Sequence, residues 1–189
     1  MRLFVAVDLP EETRREIAAR QKLIAAPLVR SGGSLKLVAP EQMHLTLLFL
    51  GGVQEARVPA ATEVMNTGVD LPAFDMAFGG AGVFPRRGAP RVLWMGVTAG
   101  AAPLTSLQRE IAERIRRLGI AFDDRPFHPH LTLGRWRESR GSANAVALHE
   151  VGEIASMRVT RATLYQSRLS ASGPAYTPLA HATLSKDGE

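Results

Sequence analysis

One tetrapeptide, present twice, constrains this chain more than any other feature. His44-Leu45-Thr46-Leu47 and His130-Leu131-Thr132-Leu133 are identical and lie in opposite halves of the protein. Successive side chains of an extended strand point to opposite faces. Each copy therefore carries His and Thr on one face and two leucines on the other. Burying the leucines presents an imidazole beside a hydroxyl, a proton donor or acceptor next to a group that holds an oxygen. Two such pairs facing each other would flank one small anion with an acid on one side and a base on the other.

The copies recur in matching surroundings. Leu3 to Val7 is an apolar, β-prone run. Asp8-Leu9-Pro10-Glu11 reads as a helix start with an acid cap, and the helix is predicted to reach about Ala26 with Ile17 and Ile24 inward. After a flexible turn at Ser31–Ser34 and a short strand from Leu35 to Val38, the first His-Thr strand spans about His44 to Leu50. In the second half, Arg91 to Val97 reads as a strand. Leu104, Leu107, Ile111, Ile115 and Leu118 then keep a helical spacing, with Gly119 as C-terminal cap, before the His130 strand. Counted from Leu3 and Val92, the histidine follows about 41 and 38 residues on, so the order strand, helix, His strand is duplicated. A helix from about Glu55 to Thr67, strands at Phe74–Phe78, Val159–Tyr165 and Tyr176–Leu184, and turns at Gly79–Gly82 and Pro85–Pro90 complete the pattern. Ser139 to Asn144 reads as a mobile connection. The predicted fold is α+β and bilobal: two pseudo-symmetric, mostly antiparallel sheets with helices outside and an active-site cleft between the lobes. Residues 1–185 are expected to form this single domain and 186–189 a frayed tail.

Composition narrows the function. The chain has 189 residues, 46% hydrophobic and 22% charged, as in an ordinary globular protein with a real core. Its net charge of +5 and pI near 10.4 favour a polyanionic partner or substrate. With no cysteine, disulfides and thiol chemistry are excluded. The N-terminal apolar run is too short for a signal peptide and no stretch approaches a transmembrane span, so no membrane association is expected and a cytoplasmic location is the default.

Two histidines suit hydrolysis of a phosphodiester. An unperturbed pKa of roughly 6.5 lets one ring be neutral and the other protonated near neutrality. One takes a proton from attacking water, the other gives a proton to the departing alkoxide, and Thr46 and Thr132 would hold the non-bridging oxygens. Arg135 lies five residues after His130, facing away along an ideal strand. A bulge at Gly134 would turn it towards the phosphate; on spacing alone a surface salt bridge is equally open. Metal ligation by His44, His128 and His130 is disfavoured, because no acid stands beside either motif and Thr is a poor zinc partner. His128 reads as a loop residue supporting the strand, and His149 and His181 as ordinary surface or structural residues. Phe84 with Arg86, Arg87 and Arg91 joins an aromatic face to positive charge, as a terminal nucleotide needs. Core packing of Phe84 and a solvated loop for the arginines fit equally well. Trp94 reads as core and Trp136 as a residue of the cleft rim.

Several segments together resemble a known family: both His-Leu-Thr-Leu motifs, Arg2-Leu3-Phe4-Val5-Ala6-Val7-Asp8-Leu9-Pro10, Gly82-Val83-Phe84-Pro85 with Arg91-Val92-Leu93-Trp94, Arg125-Pro126-Phe127-His128-Pro129-His130, and Leu164-Tyr165 with Ser167. The chain is similar to the two-histidine phosphoesterases, and within them to the RNA 2′,3′-cyclic phosphodiesterase branch, also called 2′-5′ RNA ligase. The resemblance runs from Arg2 to about Leu184. It implies a bilobal fold, no metal or other cofactor, and opening of a 2′,3′-cyclic phosphate at an RNA 3′ end to a 2′-phosphomonoester. It makes His44 the proton donor and His130 the acceptor, with Thr46, Thr132 and Arg135 as phosphate ligands; Phe84, Arg86 and Arg91 remain candidate substrate contacts. The near-symmetry of the motifs leaves the direction of proton transfer open on the residues alone. The expected partners are RNA 3′ ends or oligonucleotides with a 2′,3′-cyclic phosphate, tRNA fragments among them, met by a monomer. A 2′-5′ ligase, a phosphodiesterase for small cyclic nucleotides and a non-catalytic RNA-end-binding module are the alternatives.

Overall fold

A computed structural model of the chain describes residues 1–30, 33–139, 152–170 and 173–185. Among these residues, ten strands and three α-helices follow one another: β1 (Arg2–Asp8), α1 (Glu11–Arg30), β2 (Gly33–Leu37), β3 (His44–Gly52), α2 (Val58–Asn66), β4 (Val69–Pro72), β5 (Phe74–Phe84), β6 (Val92–Ala99), α3 (Ala101–Arg117), β7 (His130–Ser139), β8 (Glu153–Val159), β9 (Arg161–Ser170) and β10 (Gly173–Ser185). They build two five-stranded sheets, ordered β3-β1-β9-β10-β4 and β2-β7-β6-β5-β8. The β10–β4 pair is parallel and the other pairs are antiparallel. The fold is the expected α+β arrangement of two mostly antiparallel sheets. Among the described residues, no helix is long and apolar enough to cross a membrane.

The apolar run at the N-terminus is buried on both faces, Leu3, Val5 and Val7 on one and Phe4 and Ala6 on the other, and β1 is an interior strand between β3 and β9. Burial of this kind is the main force holding the sheets to their helices. The helices cross between the sheets. Helix α1 follows β1 of the first sheet but packs on β8 and β2 of the second. Thr13 donates to the Ser156 carbonyl at 3.3 Å. Helix α3 follows β6 of the second sheet and packs on β3 and β4 of the first. Leu104, Leu107, Ile111 and Ile115 are all completely buried, as their spacing predicts. At the end of α3, Gly119 adopts φ +66°. Its amide reaches the Arg116 carbonyl at 2.8 Å, closing the helix.

Several local expectations are corrected. Helix α1 runs past Ala26 to Arg30, with Pro27 in its final turns, where a missing amide donor interrupts the helix only near its end. The helix expected from Glu55 begins as a 3-10 turn, Glu55–Arg57, and becomes α only at Val58. Strands β4 and β8 are additional, and the predicted Val159–Tyr165 strand is divided at Thr160 between β8 and β9. Asp8 ends β1, and its carboxylate accepts hydrogen bonds from the Thr163 and Tyr165 hydroxyls of β9. Ser31-Gly32, the connection after Ser139, His149 and the tail after Ser185 lie outside the described residues.

The Gly79–Gly82 segment is not a turn but the middle of β5. Here glycine serves close approach. A Cβ on Gly82 would lie 1.9 Å from the Trp94 ring, which covers it. Gly82→Ala should therefore force the indole aside or distort β5, at about 1–3 kcal/mol. Urea denaturation should show that loss together with a changed tryptophan fluorescence; a variant of unchanged stability would contradict the packing.

Candidate active site

Each His-Thr pair is placed by a strand whose leucines are fixed in the core. Leu45 and Leu131 are completely buried, as is Leu133, and Leu47 is nearly so. His44, Thr46, His130 and Thr132 are half-buried on the opposite faces. The β3 and β7 strands belong to different sheets but lie against each other. Between them is a cavity of about 210 Å³, lined by His44 and Thr46 from β3, Thr132 and Arg135 from β7, Lys36 from β2 and Tyr176 from β10, together with Gln42. His130 is not part of that lining. It stands two residues before Thr132 on the same face, with its ring edge-on to Phe84 at 5.2 Å and 86°.

A bulge settles where Arg135 points. In the β6–β7 ladder Trp94 pairs with Thr132, but the next residue, Leu93, pairs with Gly134, leaving Leu133 as the extra residue. The extra residue resets the alternation. Leu133 and Gly134 are both buried, and Arg135 returns to the His-Thr face. The same device occurs in β3. Ala6 pairs with Thr46 and Val5 with Leu48, so Leu47 is extra and Phe49 returns to the His44 face. Phe49 is 40% exposed beneath the Arg2 guanidinium, which lies 5.5 Å from its ring. Arg135 and Phe49 thus occupy matching positions after the two motifs. Lys36 stands directly opposite Arg135 in the β2–β7 pair. Two cations in register repel each other, and neither has an ion-pair partner among the described residues. An anion between them would relieve the repulsion.

Both imidazoles are held in the same way. His44 Nδ1 lies 2.8 Å from the Gln42 carbonyl and His130 Nδ1 lies 2.6 Å from the His128 carbonyl. A carbonyl only accepts, so Nδ1 of each ring donates and Nε2 is left to act as base when bare or acid when protonated. The support expected of His128 is thus given by its backbone. Burial pushes the pKa of His44 down, opposed by the Gln42 bond and the Asp8 charge, while Arg135 pushes it further down. Burial likewise lowers His130, opposed by the His128 carbonyl, with Arg135 and the His128 ring lowering it further.

The aromatic expectations divide. Phe84 belongs to the site's walls, its ring 5.2 Å from Trp94 and 6.4 Å from His128 as well as beside His130. Trp94 is not core. It lies on the His130 face, between the completely buried Leu93 and Met95, and its Nε1 is buried with no hydrogen-bond partner among the described residues. Trp136, one residue past Arg135, packs against the core instead of the cleft rim. Arg86, Arg87 and Arg91 are exposed and do not line the cavity. His181 is exposed, and its Nδ1 meets the Thr163 hydroxyl at 2.9 Å, a structural contact. Sequence reasoning passed over Lys36, Phe49 and Tyr176 as site residues. Tyr176 stands edge-on to His44 at 5.1 Å, and Phe4 lies 4.9 Å from the same ring. The alternation of β1 from Asp8 back to Phe4 was the available signal for Phe4. Tyr176 depends on a strand pairing that sequence spacing does not specify. Among the described residues, no three His, Asp or Glu side chains gather as metal ligands would.

Comparison with known proteins shows the family of the chain. Residues 9–170 match the model of the 2′-5′ RNA ligase superfamily. The chain is 37% identical over 180 residues to the RNA 2′,3′-cyclic phosphodiesterase of Archaeoglobus fulgidus, covering 95% of this chain and 98% of that protein. It is 34% identical over 178 residues to the protein of the same name from Escherichia coli, covering 94% and 93%. The crystal structure of E. coli LigT complexed with 3′-AMP superposes with a TM-score of 0.80 at 32% identity, covering 97% of this chain and 98% of that one. The chain belongs to the 2′-5′ RNA ligase superfamily.

Because both imidazoles titrate below the unfolded value of about 6.5, the unfolded chain takes up more protons on acidification. Stability should consequently fall as pH drops below about 6.5. Urea titrations should find a smaller fall for the His44→Gln, His130→Gln double variant; equal pH dependence in both proteins would contradict the shifts.

Proposed function

We propose that the protein hydrolyses RNA 2′,3′-cyclic phosphodiester ends to 2′-phosphomonoesters by acid–base catalysis between two histidines, without a metal ion. The observation that carries this reading is the convergence of His44 and Thr46 with Thr132 and Arg135 on one small cavity, in a chain whose curated relatives bear the name RNA 2′,3′-cyclic phosphodiesterase. The cyclic phosphate sits between the two motif strands. His130, neutral, accepts a proton at Nε2 from a water that attacks phosphorus. The bond from phosphorus to O3′ breaks, and His44, protonated, passes its Nε2 proton to that oxygen. The phosphate stays on O2′. The Thr46 and Thr132 hydroxyls donate to the non-bridging oxygens, and Arg135 balances the charge that develops on them.

A cavity of about 210 Å³ is smaller than the roughly 300–1,000 Å³ of a pocket that encloses a whole drug-sized ligand. It suits the phosphate and sugar of a chain end, with the rest of the RNA lying along the open surface. The cations of Lys36 and Arg135 on that surface suit a polyanion.

RNA ending in a 2′,3′-cyclic phosphate, incubated with the protein and EDTA, should give a 2′-phosphate. His44→Ala and His130→Ala should each lower kcat by about 10²–10⁴-fold with little change in KM. A 3′-phosphate product would overturn the regiochemistry, activity abolished by EDTA would overturn the metal-free route, and equal losses of affinity and rate would indicate a phosphate grip without catalysis.

A further inference from the structure

The two motifs are the same in sequence, in their leucine burial, in the carbonyl that fixes each ring and in the bulge that follows. They differ in what stands opposite each histidine on the neighbouring strand. Across from His44 in the β1–β3 pair is Asp8. Across from His130 in the β6–β7 pair is Gly96. Directly opposed residues of an antiparallel pair share a face, with Cβ atoms about 4.5–5.5 Å apart, so a carboxylate accompanies one histidine and no side chain at all accompanies the other.

Asp8 is also held in place. Its Oδ2 accepts from the Thr163 hydroxyl at 2.6 Å, and its Oδ1 accepts from the Tyr165 hydroxyl. Thr163, completely buried, has spent its proton on Asp8 and so accepts from His181 Nδ1 at 2.9 Å. The Arg161 guanidinium stands farther off, 3.9 Å from Oδ2. Burial and the bond to Asp8 keep the Tyr165 phenol well above its ordinary pKa, so it remains a donor. Every partner here comes from β9 or β10, behind Asp8 as seen from His44, and each donor fixes the carboxylate without entering the cavity.

We propose that Asp8 is the positioning residue that breaks the symmetry of the two motifs, biasing His44 towards the protonated, proton-donating state and leaving His130 as the acceptor. The inference rests on the hydrolytic reading above and adds to it the group that sets the direction of proton flow. Near His44, the charged and titratable groups are Asp8 on β1, Tyr165 and Arg161 on β9, His181 and Tyr176 on β10, Arg135 on β7 and, in the same cavity lining, Lys36 on β2. Of these, Asp8 alone supplies negative charge. Near His130 stand His128 and Arg135, both of which disfavour a second positive charge, and Phe84 and Trp94, which carry none. Asp8 does not touch the ring. It acts through space, which is why the carboxylate must be anchored at a fixed place by the β9 hydroxyls.

The test is titration of the histidine side chains by NMR in the intact protein, with and without Asp8→Asn, together with the pH profile of cyclic phosphodiester hydrolysis. Asp8→Asn keeps the size and an acceptor oxygen for Tyr165 while removing the charge. It should lower the His44 midpoint by about half a pH unit or more and leave His130 in place. In kinetics, the descending limb of the pH profile should move to lower pH while the ascending limb stays. Asp8→Glu, which restores the charge, should return both readouts towards the parent. If His44 and His130 move equally, or neither moves, or Asp8→Glu behaves like Asp8→Asn, the inference is wrong. The NMR titration needs no turnover, so a parent protein inactive on cyclic phosphodiesters would overturn the hydrolytic reading while the titration still decides the role of Asp8.

Discussion

Everything in the cleft depends on the two-residue period of the β-strand. A slip of one residue in β3 or β7 would send His and Thr into the core and the leucines into the cleft. The slip is blocked because the leucine faces are almost completely buried on both strands. The same period then has to be broken to bring in a fifth residue. An extra residue at Leu47 and at Leu133 does so, and returns Phe49 and Arg135 to the faces of their respective histidines. The second bulge is pinned from outside. The Leu133 carbonyl accepts from the Val38 amide at 2.9 Å and from the buried Gln21 side chain at 2.7 Å. The Gln21 amide also reaches the Val38 carbonyl at 2.9 Å.

That glutamine belongs to α1, whose polypeptide comes directly from the first sheet but whose buried face rests on the second. Helix α3 makes the reverse crossing. The two sheets are therefore tied by shared helices, and the candidate site lies in the seam between them. The proposed binding of one phosphate by both motif strands would gain from such a tie, since binding then spends little on ordering the two halves. At the far end of α3, Arg114 adds to it by donating to the Thr67 and Gly68 carbonyls after α2, at 2.8 and 3.0 Å.

The sequence revealed those parts of the protein governed by strict periodicity. The His-Thr faces, the leucine burial, the α3 stripe and the Gly119 cap could all be read because each follows from local geometry. Arg135 was undecidable from spacing, since its side depends on a bulge, and the bulge depends on a helix residue more than a hundred positions away. Gly79–Gly82 misleads for a related reason: clustered glycines mark turns when the chain is read locally, whereas here Gly82 makes room for Trp94 and Gly79 for the Gly152 backbone and Thr98. Trp136 turns to the core because the same bulge inverts the alternation along β7, whereas Trp94 lies on β6 opposite Thr132 and so shares the His-Thr face. Asp8 reads locally as a helix cap, while its partners on β9 lie about 155 residues along the chain. Long-range pairing, not residue type, separates what was legible from what was not.

The central physical claim is that one phosphate is held jointly by two strands from two sheets. A crystal structure with a nucleoside 2′-phosphate bound tests it most directly. The account predicts phosphate oxygens within hydrogen-bond distance of both the Thr46 and Thr132 hydroxyls, with Nε2 of His44 and Nε2 of His130 on opposite sides of the same phosphorus. A phosphate bound by one motif alone, with the other histidine turned to a separate site, would contradict it.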